Sequence, residues 1–123
     1  MRNKKSASFN LKTRIRIILD EEIALGPGKT DLLEAIEKTG SISSAAKSLG
    51  LSYRRAWDMV DIMNRSFKEP LVLGAKGGKK GGGSTLTPMG KQLALVYRKM
   101  EKKALGAVKK EWVLVESLLN NKS

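Results

Sequence analysis

Ser52, Tyr53, Arg54 and Arg55 follow the Gly50-Leu51 pair and open a run of helix-forming residues. A serine at that point can cap a helix, and the N-terminus it caps favours a nearby phosphate. Arginines in the first turn can reach a base edge, where a guanidinium bonds guanine O6 and N7 in a fork. Asp58 falls one turn further on, and Ser43 belongs to the preceding helix candidate. A second group is Lys76, Lys79 and Lys80 within GAKGGKKGGG, residues 74–83. Lysines on a glycine-rich loop can lie along phosphates or a minor groove and contribute affinity rather than base choice. The third is Gly28-Lys29-Thr30, between a strand candidate and a helix candidate. A phosphate-cradling loop of the GxxxxGK[ST] type needs a glycine where this chain has Ile23, so these residues read as a helix start.

The 123 residues contain no cysteine and no histidine. That excludes a disulfide framework, a cysteine or histidine zinc site, and Ser-His-Asp or Cys-His catalysis. Glu21 and Glu22 are adjacent in sequence and read as a solvated acidic turn, not an acid–base pair. No enzyme, catalytic residue, metal site or cofactor is expected. Lys and Arg outnumber Asp and Glu by 24 to 12, a formal charge of +12. The excess is uneven: residues 20–37 carry six carboxylates and only Lys29, while the glycine loop and the C-terminal third are basic. This pattern points to a polyanion partner. No apolar run reaches bilayer length, and the start MRNKKSASFN has no apolar core of a signal peptide. A cytoplasmic protein without a membrane partner is the expectation.

The elements that must position these groups can be read from periodicity. Residues 1–10 form a basic arm. Residues 11–19 alternate, with Leu11, Thr13, Ile15, Ile17 and Leu19 on one face, which predicts a strand buried on one side; residues 23–25 extend it or pair with it. Gly26-Pro27-Gly28 breaks the chain, and a helix over 29–38 buries Leu32, Leu33 and Ile36 and stops at Gly40. Ser43 is expected to cap a helix over 44–49 with Ala45, Ala46 and Leu49 in the core. Ser52 caps a helix over 53–66 that buries Ala56, Val60, Met63 and Phe67. Short strands over 70–73 and 84–86 flank the glycine loop, and Trp57 is expected to pack against the root of that hairpin. Thr87-Pro88 signals another helix start, and the helix runs over 88–119, interrupted by Gly106.

These residues also carry a family resemblance. GSIS, the AAK…LGLSY turn, the AWD…MN run, the GGKKGGG loop and the LTPMG helix start resemble the N-terminal DNA-binding domain of ModE-type molybdate-responsive regulators. The turn alone is also similar to that of LysR-type regulators. The resemblance covers roughly residues 11–110. It implies a winged helix-turn-helix that dimerises through flanking helices, with Ser52, Tyr53, Arg54 and Arg55 at the start of the recognition helix and Lys76, Lys79 and Lys80 in the wing. It reads as a stand-alone form, because a chain ending at Ser123 has no room for the family's C-terminal molybdate-binding domains; molybdate sensing is therefore not carried over.

The expected fold is thus mainly α with a small β component: an arm over 1–10, a winged helix-turn-helix over 11–87, and a C-terminal dimerisation helix and tail over 88–123. Leu93, Tyr97, Met100, Ala104, Val108 and Trp112 are the candidate seam. The expected function is a homodimeric, sequence-specific transcriptional regulator of bacterial or archaeal type, partnered by double-stranded DNA, with a separate effector or sensor protein as a further candidate partner. Ser43, Ser52, Tyr53, Arg54, Arg55, Asp58, Lys76, Lys79 and Lys80 are its candidate DNA-binding residues. A non-specific architectural DNA-binding protein and an oxyanion-responsive interaction module are the alternatives.

Overall fold

The computed structural model describes residues 8–74 and 83–120, which are mainly helical with two small antiparallel sheets. The chain divides into two compact units: Arg14–Arg98, and the described residues before and after that span.

The larger unit begins with a hairpin of β1 (Ile17–Leu19) and β2 (Glu22–Leu25). Ile18 faces Ile23 and Leu19 faces Glu22, with an irregularity between Ile17 and Ile18. Asp20 makes the turn at φ 56°, a left-handed conformation that aspartate tolerates better than most residues. The strand expected over 11–19 is therefore confined to Ile17–Leu19, and Leu11 and Leu19 are exposed. The alternation itself persists, since Ile15 and Ile17 are half-buried while Arg14, Arg16 and Ile18 are exposed. A period of two marks any extended segment lying against a core, paired or not. Ile15 is held by a side chain: the Tyr97 hydroxyl donates to its carbonyl at 2.6 Å.

Helix α1 (Pro27–Thr39) starts two residues ahead of expectation, with Pro27 in its first turn. Proline loses nothing there because the first N–H groups have no helical partner. The buried Thr30 hydroxyl donates to the Gly26 carbonyl at 2.8 Å, so Gly28-Lys29-Thr30 is helix-start chemistry. Leu32, Leu33 and Ile36 are fully buried, and Gly40 ends the helix at φ 83°.

Helix α2 (Ile42–Leu49) is capped by Ser41, whose hydroxyl accepts from the Ser44 N–H at 3.0 Å. The cap expected at Ser43 is thus displaced by two residues: Ile42 is apolar enough to join the core, and Ser43 falls in the first turn. Leu49, expected in the core, is exposed; Ile42, Ala45 and Ala46 make the buried face. Helix α3 (Tyr53–Ser66) buries Ala56, Met59, Val60 and Met63, while Phe67 is partly buried against the same core.

A second hairpin joins β3 (Val72–Gly74) to β4 (Ser84–Leu86), in register Val72 to Leu86, Leu73 to Thr85 and Gly74 to Ser84. Helix α4 (Pro88–Ala107) follows, with Gly90, Ala94 and Tyr97 buried. The core of this unit gathers Leu25, Leu33, Ile36, Val60, Met63 and Leu71 at 1% exposure or less.

The smaller unit contains the end of α4 and helix α5 (Lys109–Leu118). The helix expected over 88–119 with an interruption at Gly106 is two helices, parted at Val108, where φ is −103° and ψ 12°. Gly106 remains inside α4. No residue of α5 is buried, although Val113, Leu114, Val115 and Leu118 are 46–78% exposed apolar side chains.

Candidate functional site

The site is assembled from the joint between α2 and α3. Gly50 stands at φ 71°, where a side chain would be strained. Its N–H donates to the Lys47 carbonyl at 3.2 Å, and the Leu51 N–H reaches the Ala46 carbonyl at 2.9 Å. This pair of bonds closes α2 as a Schellman motif. Leu51 is half-buried against the core. Ser52 then caps α3, its hydroxyl accepting from the Arg55 N–H at 3.0 Å. Three residues, Gly50-Leu51-Ser52, thereby fix where α3 begins.

With Ala56, Met59, Val60 and Met63 turned into the core, Arg54, Asp58 and Asp61 fall at helical spacing on the opposite stripe, and all three are exposed. Tyr53 and Trp57 lie on one flank of that stripe and Arg55 on the other. Ser52, Tyr53, Arg54, Arg55 and Asp58 are thus gathered on one accessible helix end, with Ser43 exposed on α2. Trp57, expected to pack at the hairpin root, is 39% exposed and meets Tyr53 edge to face, ring centroids 6.2 Å apart at 79°. The hydrogen bonds that close the hairpin root come from other residues.

Three residues close that root. The Asn64 carboxamide accepts from the Leu71 N–H at 2.8 Å and the Val72 N–H at 3.1 Å, and donates to the Val72 carbonyl at 3.0 Å. One side chain of α3 therefore satisfies the free edge of β3. Thr87 donates its hydroxyl to the Pro70 carbonyl at 2.8 Å, accepts from the Gly90 N–H at 3.0 Å, and sends its own N–H to the Leu71 carbonyl at 2.9 Å. Gly90 lies so close to Leu71 that a Cβ would overlap the Leu71 carbonyl. The LTPMG segment thus caps α4 and clamps its first turn onto β3. On the other strand, the Ser84 N–H donates to the Gly40 carbonyl at 2.8 Å. The hairpin is anchored to α1, α3 and α4 at its base. Lys76, Lys79 and Lys80, the expected contact lysines of the loop, lie outside the described residues.

Charge is arranged around α3 as well. Burial holds the Lys29 ammonium below its ordinary pKa, Arg55 pushes it further down, and Glu22 opposes both. A Cβ on Gly28 would touch the Met59 methyl at 3.9 Å, so the first turn of α1 runs beside α3. Lys29, weighed in the sequence only as part of a phosphate-loop motif, is a basic neighbour of Arg55. At the far end of α3, Arg65 grips both oxygens of Glu22 at 2.9 and 3.3 Å and reaches Asp61 at 3.2 Å. Those bonds occupy the carboxylates of Glu22 and Asp61. Arg98 on α4 does the same for Glu34 and Asp31 on α1, at 2.6–2.9 Å. Among the described residues, no group of three or more acidic residues could hold a metal ion. No helix among them is long and apolar enough to cross a membrane.

The six seam candidates are placed differently from one another. Tyr97 is 1% exposed and belongs to the core of the Arg14–Arg98 unit, where Leu93 is half-buried. Met100 and Val108 are exposed, and Ala104 and Trp112 are half-buried. Asn64 and Gly90 were hidden in the sequence for a common reason: each role depends on a neighbour remote in the chain or on a missing side chain, and periodicity reports neither.

No family model matches the chain. It is homologous over part of its length to curated ModE and Mop proteins. It is 47% identical over 88 residues to the molybdenum transport protein ModE of Azotobacter vinelandii, covering 70% of this chain and 33% of that one. It is 49% identical over 77 residues to the molybdenum-pterin-binding protein MopB of Rhodobacter capsulatus, covering 63% and 28%. It is 39% identical over 104 residues to the transcriptional regulator ModE of Yersinia pestis, covering 82% and 40%. The chain therefore spans between about a quarter and two fifths of the length of these relatives.

Proposed function

We propose that this chain is the DNA-reading part of a ModE-type transcriptional regulator, a winged helix-turn-helix in which α2 and α3 form the helix-turn-helix and the β3–β4 hairpin carries the wing. The observation that carries this reading is the exposed, capped start of α3. Ser52 fixes it, Tyr53, Arg54 and Arg55 stand on it, and the opposite stripe of the helix, Ala56, Met59, Val60 and Met63, is sunk in the core. Arg54 and Arg55 are the base-reading residues of this proposal, by bidentate bonds to guanine. Asp58, one turn on, accepts from a cytosine amino group, and Ser43 contacts phosphate from α2. Lys76, Lys79 and Lys80 on the wing add affinity through the backbone, a contribution that falls steeply with salt. No enzymatic step belongs to the site.

The regulator acts as a homodimer. Support comes from α5, where Val113, Leu114, Val115 and Leu118 are exposed and no residue of the helix is buried among the described residues. Met100, Ala104, Val108 and Trp112 extend the same region along the chain. Two copies of α3 then enter successive major grooves about 34 Å apart on a roughly palindromic site.

The test is alanine substitution at Arg54 and Arg55, read as binding to a selected site against random duplex at fixed salt. Each substitution is expected to cost about 1–3 kcal/mol on the selected site and to leave random DNA nearly unchanged. Equal losses on both duplexes would favour non-specific coating, and unchanged affinity for the selected site would remove α3 from recognition.

A further inference from the structure

Tyr53 and Trp57 stand outside the buried stripe of α3. Tyr53 is 54% and Trp57 39% exposed, and α3 already has a complete buried stripe of Ala56, Met59, Val60 and Met63 without them. Large aromatics left on an exposed helix face usually mark a contact surface. They stand one turn apart, and the edge-to-face contact between them, at 6.2 Å and 79°, limits how each ring can turn. The pair flanks Arg54 and Asp58, the outermost residues of the helix. Two apolar faces, pre-oriented beside hydrogen-bonding side chains, meet one apolar feature of the DNA major groove: the 5-methyl group of thymine.

We infer that the Tyr53–Trp57 pair selects thymine by packing against its 5-methyl group, so that the pair contributes base choice alongside the arginines. This rests on the DNA-reading assignment of α3. The pair's position on the flank makes the thymine adjoin the base pair that Arg54 reads, not coincide with it. Burying one methyl sets the size of the effect, roughly three- to fivefold in affinity per contacted thymine.

The probe is deoxyuridine, which removes the methyl and leaves every hydrogen-bonding edge of the base intact. Each thymine of a duplex selected from a random pool is replaced in turn, and binding of the full chain is measured. At one or two positions per half-site the unsubstituted protein is expected to lose roughly three- to fivefold. Trp57→Ala should bind thymine and uracil duplexes within about twofold of each other at those positions. Trp57→Leu, which keeps helix propensity and an apolar surface, should retain part of the discrimination. Helix content by circular dichroism checks that both variants fold, which exposed positions permit. A selected site that is indifferent to uracil everywhere, or a uracil penalty unchanged in Trp57→Ala, overturns the methyl-reading role and leaves the DNA-reading assignment standing. Failure to select any site overturns both.

Discussion

Helices α3 and α5 both carry several large apolar side chains, and these end up in opposite situations. Helix α3 buries Ala56, Met59, Val60 and Met63 and ties its ends with Ser52, Asn64 and Arg65. Its outward stripe is polar and aromatic. Helix α5 carries Trp112, Val113, Leu114, Val115 and Leu118 and buries none of them. An apolar stripe ordinarily finds a facing element. The first helix is held by this chain's own core and leaves its functional face free. The second is left exposed among the described residues and, on the proposed dimer, is covered by a second copy.

The sharpest way to break that comparison is to truncate one apolar side chain in each region. Ile36→Ala, in the core that carries α3, should lower unfolding free energy by about 2–5 kcal/mol. Leu114→Ala on α5 should change it by less than about 0.5 kcal/mol at concentrations where the chain is monomeric. Urea unfolding followed by circular dichroism reads both, and similar losses would mean that α5 is buried in the single chain after all. A smaller effect isolates the hairpin. Asn64→Ala removes three hydrogen bonds to β3 and leaves the Leu71 and Val72 amides short of their partner, costing about 1–3 kcal/mol. Amide exchange should rise first at those two residues, ahead of α1. Uniform exchange would show that the hairpin root does not depend on Asn64.

The smallest effect concerns pH. Hydrogen bonding to Arg98 holds the Glu34 carboxyl below its ordinary value of 4.5, against the opposing pull of burial. A lowered carboxylate pKa gives stability that is fully present above the ordinary value and lost as pH falls through the lower, folded value. Glu34 is about half exposed at its side chain, so the contribution is under about 1 kcal/mol. Glu34→Gln should therefore cost little at pH 7 and flatten the decline in stability below about pH 4.5. An unchanged acid profile would assign that decline to other carboxylates.

What could be read from sequence divides along the same line as the two helices. Gly40, Gly50, Ser52 and Pro88 are local signals, and the structure places helix ends at each of them. The buried stripes of α1 and α3 follow from spacing alone. The strand over 11–19 failed because alternation reports a buried face and not a hydrogen-bonded neighbour. Ser43 and Leu49 were misplaced at the two ends of α2, where eight residues leave periodicity little to average over. The interruption expected at Gly106 falls two residues later, at Val108. Within the candidate site, the serine cap and the two arginines were legible because their chemistry is local. Asn64 was not, since its partners Leu71 and Val72 lie beyond the end of α3. Gly90 was noticed only as part of LTPMG; its reason, the Leu71 carbonyl against its Cα, exists only once the chain is folded.

The central claim is that the exposed start of α3 reads DNA sequence as one of a symmetric pair. Repeated selection of bound fragments from a random duplex pool by the full chain, at physiological salt, tests it most directly. The account predicts enrichment of a roughly palindromic site whose half-site centres lie about 34 Å apart, and loss of that enrichment with Arg54→Ala. A pool that stays random through successive rounds while still being bound would contradict it.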